Sequence, residues 1–194
     1  MAKISIRNAK FAKIGLQDMI MHVQRNSDKH FSKFVMAEIG SYVGDSTGIF
    51  AQSALQVHCV DPWENGYDEN DPSSYKFDMS IIEAQFDALA DEYYNIVKHK
   101  AYSVDGAKNF DDQYFDMVYI DGLHTYDGVI DDINAWFDKV KDDGWICGHD
   151  YGHKLVPGVK QAIDELLGEP KARFRDTSFA IKKKDTKKWI SENS

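Results

Sequence analysis

Short apolar runs punctuate the chain, separated by longer stretches in which apolar residues recur every three or four positions. "FVMAEIG", with 34–39 as its core, reads as a buried strand that stops in glycine. "QVHCVD" reads as a second strand and "NIVKHKAYS" as a third, more polar and so nearer a sheet edge. "DMVYID" and "GWICGHD" give a fourth and a fifth, and "FRDTSFAIKK" supplies one or two more. Helical spacing appears in Leu16, Met19, Ile20 and Val23 before the first strand, and in Ile82, Phe86 and Leu89 before the third. It returns in Val129, Ile133, Trp136, Phe137 and Val140, and again in Val159, Ile163, Leu166 and Leu167, where Pro157 is placed to open the helix. The "DDG" before Trp145 reads as a helix stop and turn. The Trp136–Phe137 pair belongs to a core stripe.

Strands alternating with helices predict a mainly parallel sheet covered on both faces, with right-handed crossovers. Ligands of such sheets sit beyond the carboxyl ends of the strands. Five stretches occupy those places: Gly40–Thr47, Asp61–Trp63, Ser103–Asp105, Asp121–His124 and His149–His153. They hold a large share of the acids, histidines and glycines.

Length and charge narrow the function. A chain of 194 residues with 43% hydrophobic positions predicts one domain with a sizeable core. A formal charge of −9 argues against nucleic acid as a partner. The one basic run, "KKKDTKK", reads as a solvated tail. Cys59 and Cys147 sit in apolar runs without a CxxC partner and read as buried, reduced thiols. No apolar run approaches a membrane span and "MAKISIRNAK" shows no signal peptide, so a soluble, cytoplasmic protein is expected, with no membrane partner.

In "AEIGSYVGDST" Gly40 and Gly44 allow a tight turn and close backbone approach to a ligand. The GxGxxG fingerprint of nicotinamide enzymes is absent, and Asp45 would repel a phosphate unless it turned away. About 20 residues on, Asp61 in "VDPW" stands where a carboxylate can accept from two ribose hydroxyls. Trp63 is positioned to lie against a purine, or Asp61-Pro62 simply opens a turn.

These stretches, with "FDMVYIDGLHTYDGVIDDINAW", "DGWICGHDY" and "PGVKQAIDELL", resemble the class I S-adenosylmethionine-dependent methyltransferases, and more narrowly the methyltransferase domain 24 family. The resemblance runs from about Val35 to Leu167 in the family's order. It implies a Rossmann-like α/β three-layer sandwich whose seven-stranded, mostly parallel sheet ends in an antiparallel C-terminal hairpin. The whole chain would be one methyltransferase domain, 1–194, with a helical extension over 1–33 and the catalytic core over 34–183. The resemblance assigns Gly40, Ser41 and Gly44 to the methionine part of S-adenosylmethionine, Asp61 to its ribose and Ser103 to the neighbourhood of adenine. Glu38 is the acid usual in the first motif. Two departures stand out: Tyr42 where the class often has a third glycine, and Leu123 where the family commonly has an acid.

Strands four and five should be neighbours, so Asp121, His124, His149 and Asp150 are expected in one crevice, where Asp121 also borders the cofactor. Methyl transfer to a hydroxyl needs an aligned oxygen, a base or metal, and exclusion of water. Sugar O-methyltransferases resemble this pattern. By that resemblance Asp121, Asp150 and His149 are metal-ligand candidates and His124 the catalytic base. Mg²⁺ or Mn²⁺ is the open second cofactor, with Zn²⁺ suited to the imidazole and a metal-free site with His149 as base the other alternative. His22, His30, His58 and His99 read as surface polarity. The acidic, aromatic stretch 64–80 is either a lid with Tyr67, Tyr75 and Phe77 as apolar contacts or a disordered insert.

The function expected is O-methylation of a small hydroxylated acceptor: a sugar, polyol or phenol. A nicotinamide-dependent oxidoreductase and a non-catalytic nucleoside-binding protein are the alternatives. The N-terminal helix leaves two roles open, a homodimer contact or a cover over the pocket.

Overall fold

A computed structural model describes residues 9–68 and 73–193. Residues 1–8, including most of the stretch read for a signal peptide, and 69–72 within the acidic segment lie outside the described residues.

Seven strands form one sheet in the order β3-β2-β1-β4-β5-β7-β6. They are β1 (Val35–Ile39), β2 (Gln56–Asp61), β3 (Ile96–Lys100), β4 (Phe115–Ile120), β5 (Val140–Gly148), β6 (Ala172–Arg173) and β7 (Phe179–Lys182). Strands β1 to β5 run parallel, and β7 pairs antiparallel with both β5 and β6. The order reverses beside β1, and β1 and β4 are hydrogen-bonded neighbours at that switch. A crevice forms there because the connections leave the sheet in opposite directions.

Alternate residues sort to opposite faces, as the pleat requires. Met36, Val57, Cys59, Met117, Tyr119 and Cys147 face helices α1 (Ala9–Arg25), α2 (Thr47–Ala51) and α4 (Met79–Ala90). Ala37, Ile39, Val60, Val118, Ile120 and Ile146 face α5 (Ser103–Ala107), α6 (Tyr126–Trp136) and α7 (Pro157–Leu166). The apolar stripe of α1 is buried against the first set. Each helix stripe read from the sequence is found, apart from Val140 at the end of the α6 stripe. α7 opens on Pro157, whose missing amide hydrogen costs nothing at a first turn. Two short helices follow, α3 (Ser73–Lys76) ahead of α4 and α8 (Lys187–Glu192) at the C-terminal end.

Several expectations are corrected. Val140 begins β5 instead of ending α6, and "DDG" is a bulge inside that strand, where the register with β4 shifts between Phe115 and Met117. A Cβ on Gly144 would lie 2.9 Å from the Asp116 carbonyl oxygen, so the bulge needs glycine at that approach. "KKKDTKK" is not a solvated tail: Lys183 is buried with its Nζ 2.8 Å from the Val140 carbonyl, and Thr186 caps α8. His58 and His99 are not surface polarity. They stack across β2 and β3, His58 Nδ1 2.9 Å from His99 Nε2, in a nest of Phe110, Tyr114 and Phe115. Burial, with His99 close by, pushes His58 down to about 4. His22 packs edge-on against Trp145 and Phe174. The cysteines are free and fully buried, as expected. Among the described residues no helix is long and apolar enough to cross a membrane.

Candidate active site

The carboxyl ends of β1, β2 and β4 meet at the switch in strand order. Gly40 donates to the Val60 carbonyl (2.9 Å), and Asp121 donates to that of Ile39 (2.8 Å). Gly40 has φ +85°, and a Cβ there would overlap the Asp121 carbonyl, with its carbon only 2.6 Å away. Glycine is therefore needed for the loops after β1 and β4 to touch. Tyr42, at the position of the expected third glycine, has φ +48°. The turn keeps its left-handed residue and accepts the strain of a side chain.

Glu38 is wholly buried and accepts from the Thr47 hydroxyl, which ties β1 to α2. Ser41 is buried too, with its hydroxyl beside the Cys59 thiol. Asp61, 1% exposed, accepts from the Trp63 amide (2.7 Å) and the Tyr42 amide (2.9 Å). Burial pushes its carboxyl up to about 6, against the pull of those two amides. A carboxylate offers about four lone-pair sites, so two remain for a ligand's hydroxyls.

Trp63 is not free to lie against a purine. Its indole is buried against Phe86, with ring centroids 4.7 Å apart, and its Nε1 donates to the Tyr42 carbonyl (2.8 Å). It braces the turn that presents Asp61. Ser103 opens α5 on the same rim, and its hydroxyl accepts from Trp136 Nε1 (2.9 Å) and lies near enough to Asp132 to ease that carboxyl's ionisation. Asp132 was not singled out from the sequence. It is 3% exposed beneath the Gly122 turn, and burial pushes it up to about 7.

Beside this lies the acid–imidazole cluster. His124 Nε2 is 3.1 Å from Asp150 Oδ2 and 3.6 Å from Asp121 Oδ1. His149 Nδ1 is 3.2 Å from Asp150 Oδ1 and 3.9 Å from Asp121 Oδ1. One ligand atom from each of Asp121, His124 and Asp150 fits within 4.8 Å of the others, close enough to share a cation. Asp150 has φ +60°, a strained setting that aims its carboxylate at both imidazoles. His153 is exposed and outside the cluster.

The electrostatics bear on the base expected at His124. Burial opposes its charge, but the carboxylates of Asp121, Asp150 and Asp68 outweigh that and push it up to about 12. These carboxylates favour the imidazolium, so a base at His124 needs their charge offset first. Burial acts against ionisation of Asp150 as well, and the two histidines override it, holding the carboxyl well below the usual range. Asp68 and Asp176 complete the arrangement, and neither was read from the sequence. Asp68 Oδ2 lies 3.9 Å from His124 Nδ1, and Asp176 Oδ2 lies 4.0 Å from His149 Nε2. Within the acidic segment Tyr67 and Phe77 pack on the core while Tyr75 is 59% exposed, so Tyr75 is not an apolar contact.

The comparisons agree with this fold. The family model described as "Methyltransferase domain", that of the methyltransferase domain 24 family, matches residues 37–151. A search of curated proteins finds no match. Among solved structures, CalS11, a calicheamicin methyltransferase, superposes with a TM-score of 0.63 at 13% identity, covering 91% of this chain and 80% of that one. A Staphylococcus aureus protein described as a caffeoyl-CoA O-methyltransferase gives 0.56 at 15% identity, covering 91% and 83%. The YcgJ protein of Bacillus subtilis gives 0.52 at 15% identity over 71% of this chain, which spans 50% of that protein's length. These likenesses are of fold, and the family model is what sets aside a nicotinamide oxidoreductase. With more than half of its length matched, the chain belongs to the methyltransferase domain 24 family and is an S-adenosylmethionine-dependent methyltransferase.

Proposed function

We propose that the chain methylates a hydroxyl of a small acceptor (a sugar, polyol or phenol) at the Asp121–His124–His149–Asp150 cluster, with a divalent cation. The carrying observation is the convergence of these acids and imidazoles beside the Gly40 turn and Asp61, at one switch point of the sheet. In this reading Glu38, Gly40, Ser41 and Gly44 hold the methionine end of the donor and Asp61 takes the ribose hydroxyls. Ser103 borders the adenine, and residues 34–183 form the catalytic core. Asp121 and Asp150, with His149 or His124, hold the cation. Mixed oxygen and nitrogen donors suit Mn²⁺ or Zn²⁺ as well as Mg²⁺. When bound, the cation would orient the acceptor oxygen and lower its pKa.

Transfer of methyl from sulfonium to oxygen forms an O–C bond, breaks an S–C bond and releases the hydroxyl proton. The protein must take that proton, and the two imidazoles are the bases at hand. His124 can accept it only from a neutral state, which the surrounding carboxylates oppose until their charge is offset. The acidity of the chain supports a small acceptor over nucleic acid.

Calorimetry with S-adenosylmethionine and S-adenosylhomocysteine, followed by methyl transfer to a panel of sugars, polyols and phenols with Mn²⁺ or with chelator, tests the proposal. Cation-dependent methyl ethers support it. Donor binding with turnover only on nitrogen or carbon acceptors refutes the O-methyl assignment, and turnover unaffected by chelator refutes the cation.

A further inference from the structure

Asp68 sits in a surface segment but behaves as an interior residue. The segment between β2 and α4 is drawn closed at its neck: Asn65 donates to the Phe77 carbonyl (3.1 Å) and accepts from the Met79 amide (3.2 Å). Gly66 donates to the Ser74 carbonyl (2.7 Å), and the Ser74 hydroxyl donates to the carbonyl of Asp68 itself. Glu64, Asn65 and Gly66 are exposed, whereas Asp68 is 2% exposed. Taking a carboxylate out of water is costly unless polar partners meet it. His124 meets it twice, through its amide at 3.4 Å from Asp68 Oδ2 and through ring Nδ1 at 3.9 Å. The opposite ring nitrogen faces Asp150 and Asp121. The imidazole thus lies between a carboxylate from the segment and two from the strand ends, with Nε2 turned to the latter pair. An outer carboxylate on the far nitrogen is the usual means of orienting a histidine toward a cation.

Resting on the proposed site, we propose that Asp68 is a positioning residue and a latch: it fastens the β2–α4 segment to His124 and aims that ring at Asp121 and Asp150.

Two readouts on the full chain test this. Hydrogen exchange followed by mass spectrometry is compared for the wild type, Asp68→Ala, His124→Ala and the double variant. The latch predicts that each single change speeds exchange about tenfold both at 64–78 and at 122–126, that the double variant adds little more, and that α7 keeps its protection. Affinity for Mn²⁺ alone, read by electron paramagnetic resonance, should fall about 10- to 100-fold in Asp68→Ala and return in part in Asp68→Glu. If Asp68→Ala loosens only 64–78 and leaves 122–126 and Mn²⁺ affinity untouched, Asp68 merely holds its own loop and the proposal is overturned. Should the wild type bind no Mn²⁺, the cation reading fails by itself. The exchange data then judge the latch: additive effects of the two single changes refute it, and coupled effects sustain it.

Discussion

If Asp61 takes the ribose, as proposed, the donor should bind more weakly as the solution is acidified. The carboxyl is 1% exposed, and that burial sets its pKa at about 6, well above an ordinary aspartate, even though the amides of Tyr42 and Trp63 favour the charged form. Both amides are donors, so the remaining lone pairs must do the accepting from ribose, and only the ionised group offers all of them. If the ionised form alone binds, the apparent dissociation constant scales as one plus the ratio of protonated to ionised carboxyl. With a pKa of about 6 that factor is near one at about pH 7.5 and about 11 at pH 5, a loss of roughly tenfold, or about 1.4 kcal/mol. The sign is that of a proton competing with the ligand: affinity is full above the folded pKa and falls below it. Isothermal calorimetry with S-adenosylhomocysteine across this range measures the slope. Asp61→Asn, which has no carboxyl to titrate, should bind weakly at every pH and show none of Asp61's tenfold change. A flat wild-type profile, or an Asn variant with the same slope, would refute the assignment of the ribose to Asp61.

Other perturbations follow from the same contacts. Gly40→Ala forces a Cβ into the Asp121 carbonyl at a φ of +85°, so it should cost about 2–4 kcal/mol in urea unfolding and abolish donor binding in calorimetry. Phe86→Ala removes a fully buried ring that packs at a tilt against Trp63 and should cost about 3–5 kcal/mol, with weaker donor binding because Trp63 braces the Asp61 turn. Gly15→Ala would ordinarily stabilise a helix by about 1 kcal/mol. Here its Cβ would run into Asp176, whose Cβ lies 2.6 Å away and whose carboxylate accepts from Ser178, so thermal melting should show a loss instead. Asp116 is held below its usual pKa against the effect of burial by Lys141, Lys29 and the Val35 amide. Its stabilisation is present above the unfolded value near 4 and lost as pH falls through the folded one. Asp116→Asn should therefore lower the melting temperature at neutral pH and narrow its gap to the wild type in acid.

The strand-end chemistry was legible because a parallel sheet leaves little freedom about where its strands stop. A β-branched run closed by Gly40 or Asp61 fixes both the strand and the direction its last residue faces. Helices α4, α6 and α7 were legible for a related reason, since each spans enough turns to repeat its apolar stripe. Helices α2 and α5, five residues each, complete less than two turns and have no period to read. The bulge at "DDG" carries the same residues as a turn, and only the register of β4 against β5 tells them apart. Trp63 was misjudged because an aromatic just after a strand-end acid serves equally well as a brace, and packing against Phe86 decided it.

The outer carboxylates were out of reach for a deeper reason. Nothing in "YDENDP" sets Asp68 apart from Glu69 or Asp71, and nothing in "FRDTSF" marks Asp176. Their importance is positional: each lies beside the ring nitrogen of a histidine turned away from the shared pocket. Asp121, His124, His149 and Asp150 are brought together by two adjacent strands, a local consequence of topology. Asp68 comes from the far side of the switch and Asp176 from the antiparallel hairpin, so their placement depends on how two connections fold back over the rim. A periodic pattern can encode where strands end. It does not encode which acid of a polar loop is carried inward, because that choice rests on partners distant in the chain. The outer contact of each histidine is therefore written outside the strand-end motifs that bring the imidazoles together.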